Sequence, residues 1–187
     1  MTTQPTGFTL ADFLAWETLQ DSKHEFSEGR ISAFPGVTQM HAAIVLEIAA
    51  RLHAHLRGTR CRVFVCDVLT TTQLSARYPD VVVTCDERDT ADPYSRTLAH
   101  PTLIVEVLSE STAAVDRGPK LDEYRSIATL AEYVLIDSRR RWAEVYRRAD
   151  GGWITRLPFS TGPLGFSSVG LTIDLEEIYD SVGVPLR

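Results

Sequence analysis

Cysteine is scarce in this 187-residue sequence. The three present, Cys61, Cys66 and Cys85, are too few for the disulfide-dense scaffold of a small secreted domain. They lie in or beside apolar, β-rich stretches, which predicts small buried thiols. Cys61 and Cys66 would face opposite sides of one strand, which makes them a poor metal clamp and a poor disulfide. With 11 glycines and 9 prolines the chain has neither a collagen-like nor a low-complexity composition. An excess of positive charge is also missing. Against 25 Asp+Glu there are 19 Lys+Arg, a net charge of −6, so general adhesion to nucleic acid or anionic membrane is excluded and any phosphate must be held by a local site. No apolar run approaches the roughly 18 residues of a membrane span. The opening Met1 to Pro5 lacks the basic-then-apolar layout of a secretory leader, so the expected location is the cytoplasm, with no membrane partner. Apolar residues at 44% and charged residues at 24% are ordinary for a globular protein. The length suits one domain over 1–187, with 1–7 flexible.

Phe8-Thr9-Leu10-Ala11-Asp12-Phe13 reads as a helix start. Thr9 is the N-cap, Asp12 stands three residues on, and Phe8 is placed to staple against Phe13, so a helix is expected from Leu10 to Leu19. The segment from His24 to Phe34 alternates around Glu28-Gly29 and predicts a short hairpin. From Thr38 to Arg57 the apolar residues Ile44, Val45, Ile48, Leu52 and Leu56 recur at helical spacing, and Gly58 supplies the stop. Strands are expected at Arg62–Val65, Asp80–Cys85, Leu103–Leu108 and Glu132–Asp137. A helix over Ala113 to Ala128 is broken or restarted at Gly118-Pro119. A hairpin joins Trp142–Arg147 to Trp153–Leu157, Gly165–Ile173 adds a strand, and Asp174 caps a last short helix. The result is an α/β fold in which residues 38–137 run helix, strand, strand, strand, helix, strand.

Two carboxylates stand out. Asp80 opens a strand of three valines, and Glu106 lies inside the apolar run Leu103 to Leu108, where a carboxylate is costly to bury unless paired, protonated or bound to a cation. If these strands are antiparallel neighbours, both acids converge at one end of the sheet. Two carboxylates with a backbone carbonyl suit Mg²⁺ or Mn²⁺, with water completing the shell. The plainer alternative is that each acid reaches solvent at a strand end. Lys120, in the first turn of the helix after Glu106, can be aimed at the pair, with Tyr124 one turn on along the same face. Taken alone, it reads as a solvated surface charge.

Tyr78-Pro79-Asp80-Val81-Val82-Val83, Leu103 to Ser109, Ser111-Thr112, Asp116, Lys120, Tyr124 and Glu132 to Asp137 together resemble the PD-(D/E)XK restriction-endonuclease-like superfamily. Within it they are most similar to the Uma-type endonuclease family, with Glu25-Phe26-Ser27-Glu28-Gly29 and His41 adding to the resemblance. It covers about Phe8 to Tyr179. It implies a restriction-endonuclease-like mixed sheet with an αβββαβ core, an N-terminal helix and hairpin, and C-terminal hairpin additions. It also implies metal ligation by Asp80, Glu106 and the Val107 carbonyl. The sequence departs from the superfamily at Leu108, which stands where the motif lysine belongs and is expected to be buried. In the Uma-type relatives the amine comes from the next helix, here Lys120.

The expected function is Mg²⁺- or Mn²⁺-dependent hydrolysis of DNA phosphodiesters, with Asp80, Glu106 and Lys120 in catalysis and His41, Glu25, Tyr124 and Asp116 around them or touching substrate. His41 equally suits a satisfied half-buried histidine, and Glu25 a solvated hairpin acid. Arg139, Arg140, Arg141, Arg147 and Arg148 form a local basic patch that can follow a phosphate backbone or simply be solvated. The rival expectation is a non-catalytic nucleic-acid-binding or assembly module on a degenerate nuclease fold. A homo-oligomer, with a dimer favoured, is the expected assembly.

Overall fold

The computed structural model describes residues 7–183; most of the expected flexible start, 1–6, lies outside the described residues. The N-terminal half contains α1 (Leu10–Glu17), β1 (His24–Ser27), β2 (Arg30–Ala33), α2 (Gln39–Leu56), β3 (Arg62–Val65), β4 (Leu69–Thr71), β5 (Ser75–Arg77) and β6 (Val81–Thr84). There follow α3 (Glu87–Thr90), β7 (Thr97–Leu98), β8 (Pro101–Leu108), α4 (Ala113–Arg117), α5 (Pro119–Arg125) and β9 (Glu132–Asp137). The chain continues with β10 (Ala143–Ala149), β11 (Gly152–Phe159), β12 (Pro163–Phe166), β13 (Leu171–Asp174) and α6 (Leu175–Val182).

A six-stranded sheet in the order β11-β10-β9-β8-β6-β3 carries the core. β3, β6 and β8 are antiparallel neighbours, and β9 returns parallel to β8 through α4 and α5. With α2 ahead of them, these elements form the expected αβββαβ core. Strand alternation divides the side chains between two layers. Val81, Val83, Val105 and Val107 face Ile44, Ile48 and Leu52 of α2 and Ile178 of α6, whereas Val82, Ile104, Leu108 and Leu135 face Leu121 and Tyr124 of α5. Ile48 has no exposed surface, so Ile48→Ala would cost about 2–5 kcal/mol.

A second sheet, in the order β2-β1-β5-β4-β7, was not foreseen as a whole. Its strands β4, β5 and β7 have only two or three residues each, too short for a period-2 pattern to show. α1 closes one end of it. Thr9 and Asp12 form the expected capping box, while Phe8 and Phe13 both rest on Phe26. The helix stops at Glu17, two residues short of Leu19, where Gln20 N–H turns back to the Glu17 carbonyl. The single strand expected over Gly165–Ile173 is a hairpin, β12 and β13, turned by a short 3-10 helix at Ser167–Val169 with Gly170 at φ 72°. Asp174 stands at the N-cap of α6 but makes no side-chain cap bond.

The expectation of three buried thiols is corrected at two positions. Arg62 pairs with Thr84 across β3 and β6, so one step outward Cys61 faces Cys85, and the two form a disulfide. Cys66 stays free and half-buried, with its thiol pushed up to about 11 by burial and by the nearby Asp80.

Candidate active site

The register of β6 and β8 sets the geometry of the site. Val81 lies opposite Val105, so Asp80, one residue before β6, falls opposite Glu106 on the sheet face that α5 covers. Asp80 and Glu106 are 5% and 3% exposed.

Each carboxylate is held by one oxygen. Asp80 Oδ2 accepts the Val107 N–H at 2.7 Å and faces His41 Nε2 at 3.0 Å; His41 stands in the first turn of α2. Glu106 Oε1 accepts from Lys120 Nζ at 3.0 Å and from Tyr124 Oη at 3.0 Å. Lys120 and Tyr124 are one turn apart on α5 and reach the same oxygen, as i,i+4 spacing allows. The placement depends on the break between α4 and α5. Pro119 starts the second helix, and a Cβ at Gly118 would come to 3.1 Å from the Ala114 carbonyl, a crowding that glycine avoids where the chain folds back.

Lys120 is therefore no surface-edge charge. It is buried with Glu106 at 3.0 Å, Asp116 Oδ1 at 3.1 Å and Glu25 at 3.7 Å. Burial alone would lower its pKa, but Glu106, Glu25 and Asp116 hold it well above the ordinary lysine value. Glu25 is buried rather than solvated; its carboxylate accepts from Tyr78 N–H at 3.1 Å and from Arg77 at 3.1 Å. Arg77, on one of the unforeseen short strands, joins Glu25 to Glu123 of α5, which also accepts from Ser27. Three residues before Asp80, at the end of a three-residue strand, Arg77 carries no periodic signal in the sequence.

The cavity here has a volume of about 190 Å³ and is lined by all of Glu25, His41, Asp80, Glu106, Asp116 and Lys120. Four carboxyls line it, adding Asp116 to those above, against two cations, Arg77 and Lys120. The imbalance shows in the acids. Burial raises Asp80 to about 7, outweighing the Val107 N–H and Lys120, and burial raises Glu106 well above the carboxylate range despite Lys120. Burial also lowers His41 and raises Tyr124.

Two buried atoms of this lining lack a hydrogen-bond partner among the described residues, His41 Nδ1 and Asp116 Oδ1. The Lys120 amine is near Asp116 Oδ1 but is not directed at it as a bond. With Asp80 ionised, His41 donates from Nε2, which leaves Nδ1 as a bare acceptor. Unpaired buried acceptors, raised carboxylates and surplus negative charge are what a site for a hard cation and its waters presents. Among the described residues no group of three or more His, Cys, Asp or Glu side chains is arranged to hold a metal by itself, so waters and a main-chain oxygen must complete such a shell. Leu108 is buried in the α5-side core and reaches none of this, as expected.

The arginine patch is largely occupied. Arg139 pairs with Glu110 at 3.2 Å, Arg140 with Asp137 at 3.2 Å, Arg141 with Asp180, and Arg147 with Glu132 at 2.6 Å. Arg148 donates to the carbonyls of Leu130 and Ile127. Tyr146 is core, against Tyr133, and Trp142 lies under Arg117 and Arg140.

Among known proteins, the profile of the Uma2 family, described as putative restriction endonuclease, matches residues 10–175. The uncharacterized Synechocystis protein slr1290 is 33% identical over 171 residues, covering 90% of this chain and 89% of its own. A second Synechocystis protein, sll1609, is 31% identical over 163 residues, covering 85% and 92%. The crystal structure of a putative nuclease of DUF820 from Anabaena variabilis superposes with a TM-score of 0.77 at 20% identity, covering 93% of this chain and 98% of that one, a likeness of fold.

Proposed function

We propose, from the premise that this chain belongs to the Uma2 family, that it hydrolyses phosphodiester bonds of DNA with the help of Mg²⁺ or Mn²⁺. The observation that carries the reading is the buried pair Asp80 and Glu106, set opposite each other with one oxygen of each anchored and the other without a hydrogen-bond partner among the described residues. A divalent cation held by these carboxylates and the Val107 carbonyl would supply Lewis-acid polarisation of the phosphate and a more acidic bound water.

The chain's own residues do the rest. The Val107 N–H and His41 fix the Asp80 carboxylate, and Lys120 and Tyr124 fix that of Glu106, so neither must reorganise when substrate arrives. Lys120, held protonated by three acidic neighbours, serves as a fixed cation and hydrogen-bond donor beside the phosphate, not as a base. It supplies from α5 the amine that Leu108 cannot. Water oxygen bonds to phosphorus and gives up a proton to solvent, the bond from phosphorus to the departing sugar oxygen breaks, and that oxygen takes up a proton from solvent, so one water is consumed per bond cut.

The test is incubation of purified protein with supercoiled plasmid and with circular single-stranded DNA, each with Mg²⁺, Mn²⁺ or chelator. Cutting of at least one DNA only with divalent ion, lost in Asp80→Asn, is expected. Cutting that survives Asp80→Asn, or no cutting of either DNA, refutes the proposal.

A further inference from the structure

The site lies at the floor of a small cavity with an uncharged rim. Its 190 Å³ is below the roughly 300–1,000 Å³ of pockets that enclose a drug-sized ligand, so there is room for a phosphate group with ion and water but not for a whole nucleotide. At the floor Asp116 is 1% exposed, with Glu106 and Asp80 little more. The rim is made by Ser32, Pro35, Gly36, Val37, Ser111 and Val115, all exposed and all uncharged. Among the described residues, the cations lining the cavity are Arg77 and Lys120, both buried and both already paired. The arginines of the hairpin pair with Glu110, Asp137, Asp180, Glu132 and main-chain carbonyls, and none of them lines the cavity.

Intact duplex DNA fits this poorly. It is stiff over about 150 base pairs and its backbone cannot dip locally without deformation. Proteins that grip it neutralise several phosphates, about six to ten in the strongly salt-dependent cases. Here no more than about two phosphates can meet a lining cation. An unpaired strand bends freely, can lower one phosphate to the floor, and can leave its bases outside against an uncharged rim where Val37 is 52% exposed.

Resting on the reading of Asp80 and Glu106 as a metal-dependent hydrolytic site, we infer that the substrate is an unpaired DNA strand, a single-stranded stretch or frayed end, and not intact duplex. The cavity size, the buried floor and the uncharged rim carry this inference together.

Three fluorophore-labelled substrates test it with Mn²⁺: a single-stranded oligonucleotide, the same sequence fully paired, and a duplex with a central unpaired stretch. Glu106→Gln is the blank. Cutting of the single strand and within the unpaired stretch is expected, with kcat/KM at least about tenfold above that of full duplex, the size of a 1.4 kcal/mol preference. With about two phosphates engaged on a single strand, kcat/KM should fall only about sevenfold between about 50 and 200 mM salt, against about 10³ or more for a duplex-gripping protein. Full duplex cut as fast as single strand, or a fall near 10³, overturns the inference while leaving the hydrolytic reading standing. No cutting of any of the three overturns both.

Discussion

Replacing Lys120 by alanine tests most directly what the fold does with the site's charge. The amine lies within 4 Å of Glu106, Asp116 and Glu25, and all four side chains are less than a tenth exposed. Removing it leaves the four lining carboxyls in a low-dielectric space with Arg77 as the remaining lining cation. Breaking a buried ion pair from one side costs about 3–5 kcal/mol, because the partner's charge stays desolvated and uncompensated. That is a large part of the about 5–15 kcal/mol by which a domain is stable. Urea unfolding should therefore show a loss of about 3–5 kcal/mol at pH 8 with the slope m unchanged. The pH dependence has a definite sign. Without the lysine, which opposes the rise that burial causes at Glu106 and Asp80, the folded state holds those two acids higher still, so over the acid range it binds more protons than the unfolded chain, and stability falls as pH rises. The deficit should shrink at pH 5, where protonation removes the uncompensated charge. Adding Glu106→Gln to Lys120→Ala should restore part of the loss, since the two sites share one interaction. A loss within about 0.5 kcal/mol at both pH values, the size typical of an exposed substitution, would refute the reasoning and return Lys120 to the surface.

Other perturbations read the same site and the frame around it. Glu106→Gln should melt no lower than wild type in chelator, since it removes a costly buried charge, yet lose the rise in melting temperature that Mn²⁺ gives wild type; equal metal-induced rises would remove Glu106 from the proposed metal site. With Asp80 raised from 3.8 to about 7 by burial, metal-free wild type should lose stability as pH climbs from about 4 to about 7, by up to about 4 kcal/mol from this group, and Asp80→Asn should flatten that slope in denaturant melts. The Cys61–Cys85 bridge closes a loop with a separation of 24 residues, so a reductant, or Cys61→Ser with Cys85→Ser, should cost about 3 kcal/mol in urea melts, and unchanged melts would show that the pair adds nothing.

Much of this chain's architecture follows from local pattern alone. The 3.6-residue period of α2, the valine-rich runs of β6 and β8, the Gly118-Pro119 break and the Thr9 capping box are short-range signals, and the structure places helix, strand, break and cap where they point. Asp80 and Glu106 were legible for the same reason: a carboxylate beside three valines or inside an apolar run is a local contradiction that calls for a partner. The partners themselves were decided by the tertiary structure. Strand register, not spacing along the chain, sets Asp80 opposite Glu106 and brings Cys61 to Cys85, because cross-strand neighbours can be any distance apart in sequence. Short strands without a visible period carry Arg77 into the site and bury Glu25, which a hairpin read alone leaves in water. Whether Lys120 is a solvated charge or the hub of three buried acids depends on which face of α5 meets the sheet. That choice is made by Leu121 and Tyr124 packing against Ile104 and Leu108, and the lysine follows its neighbours into the core.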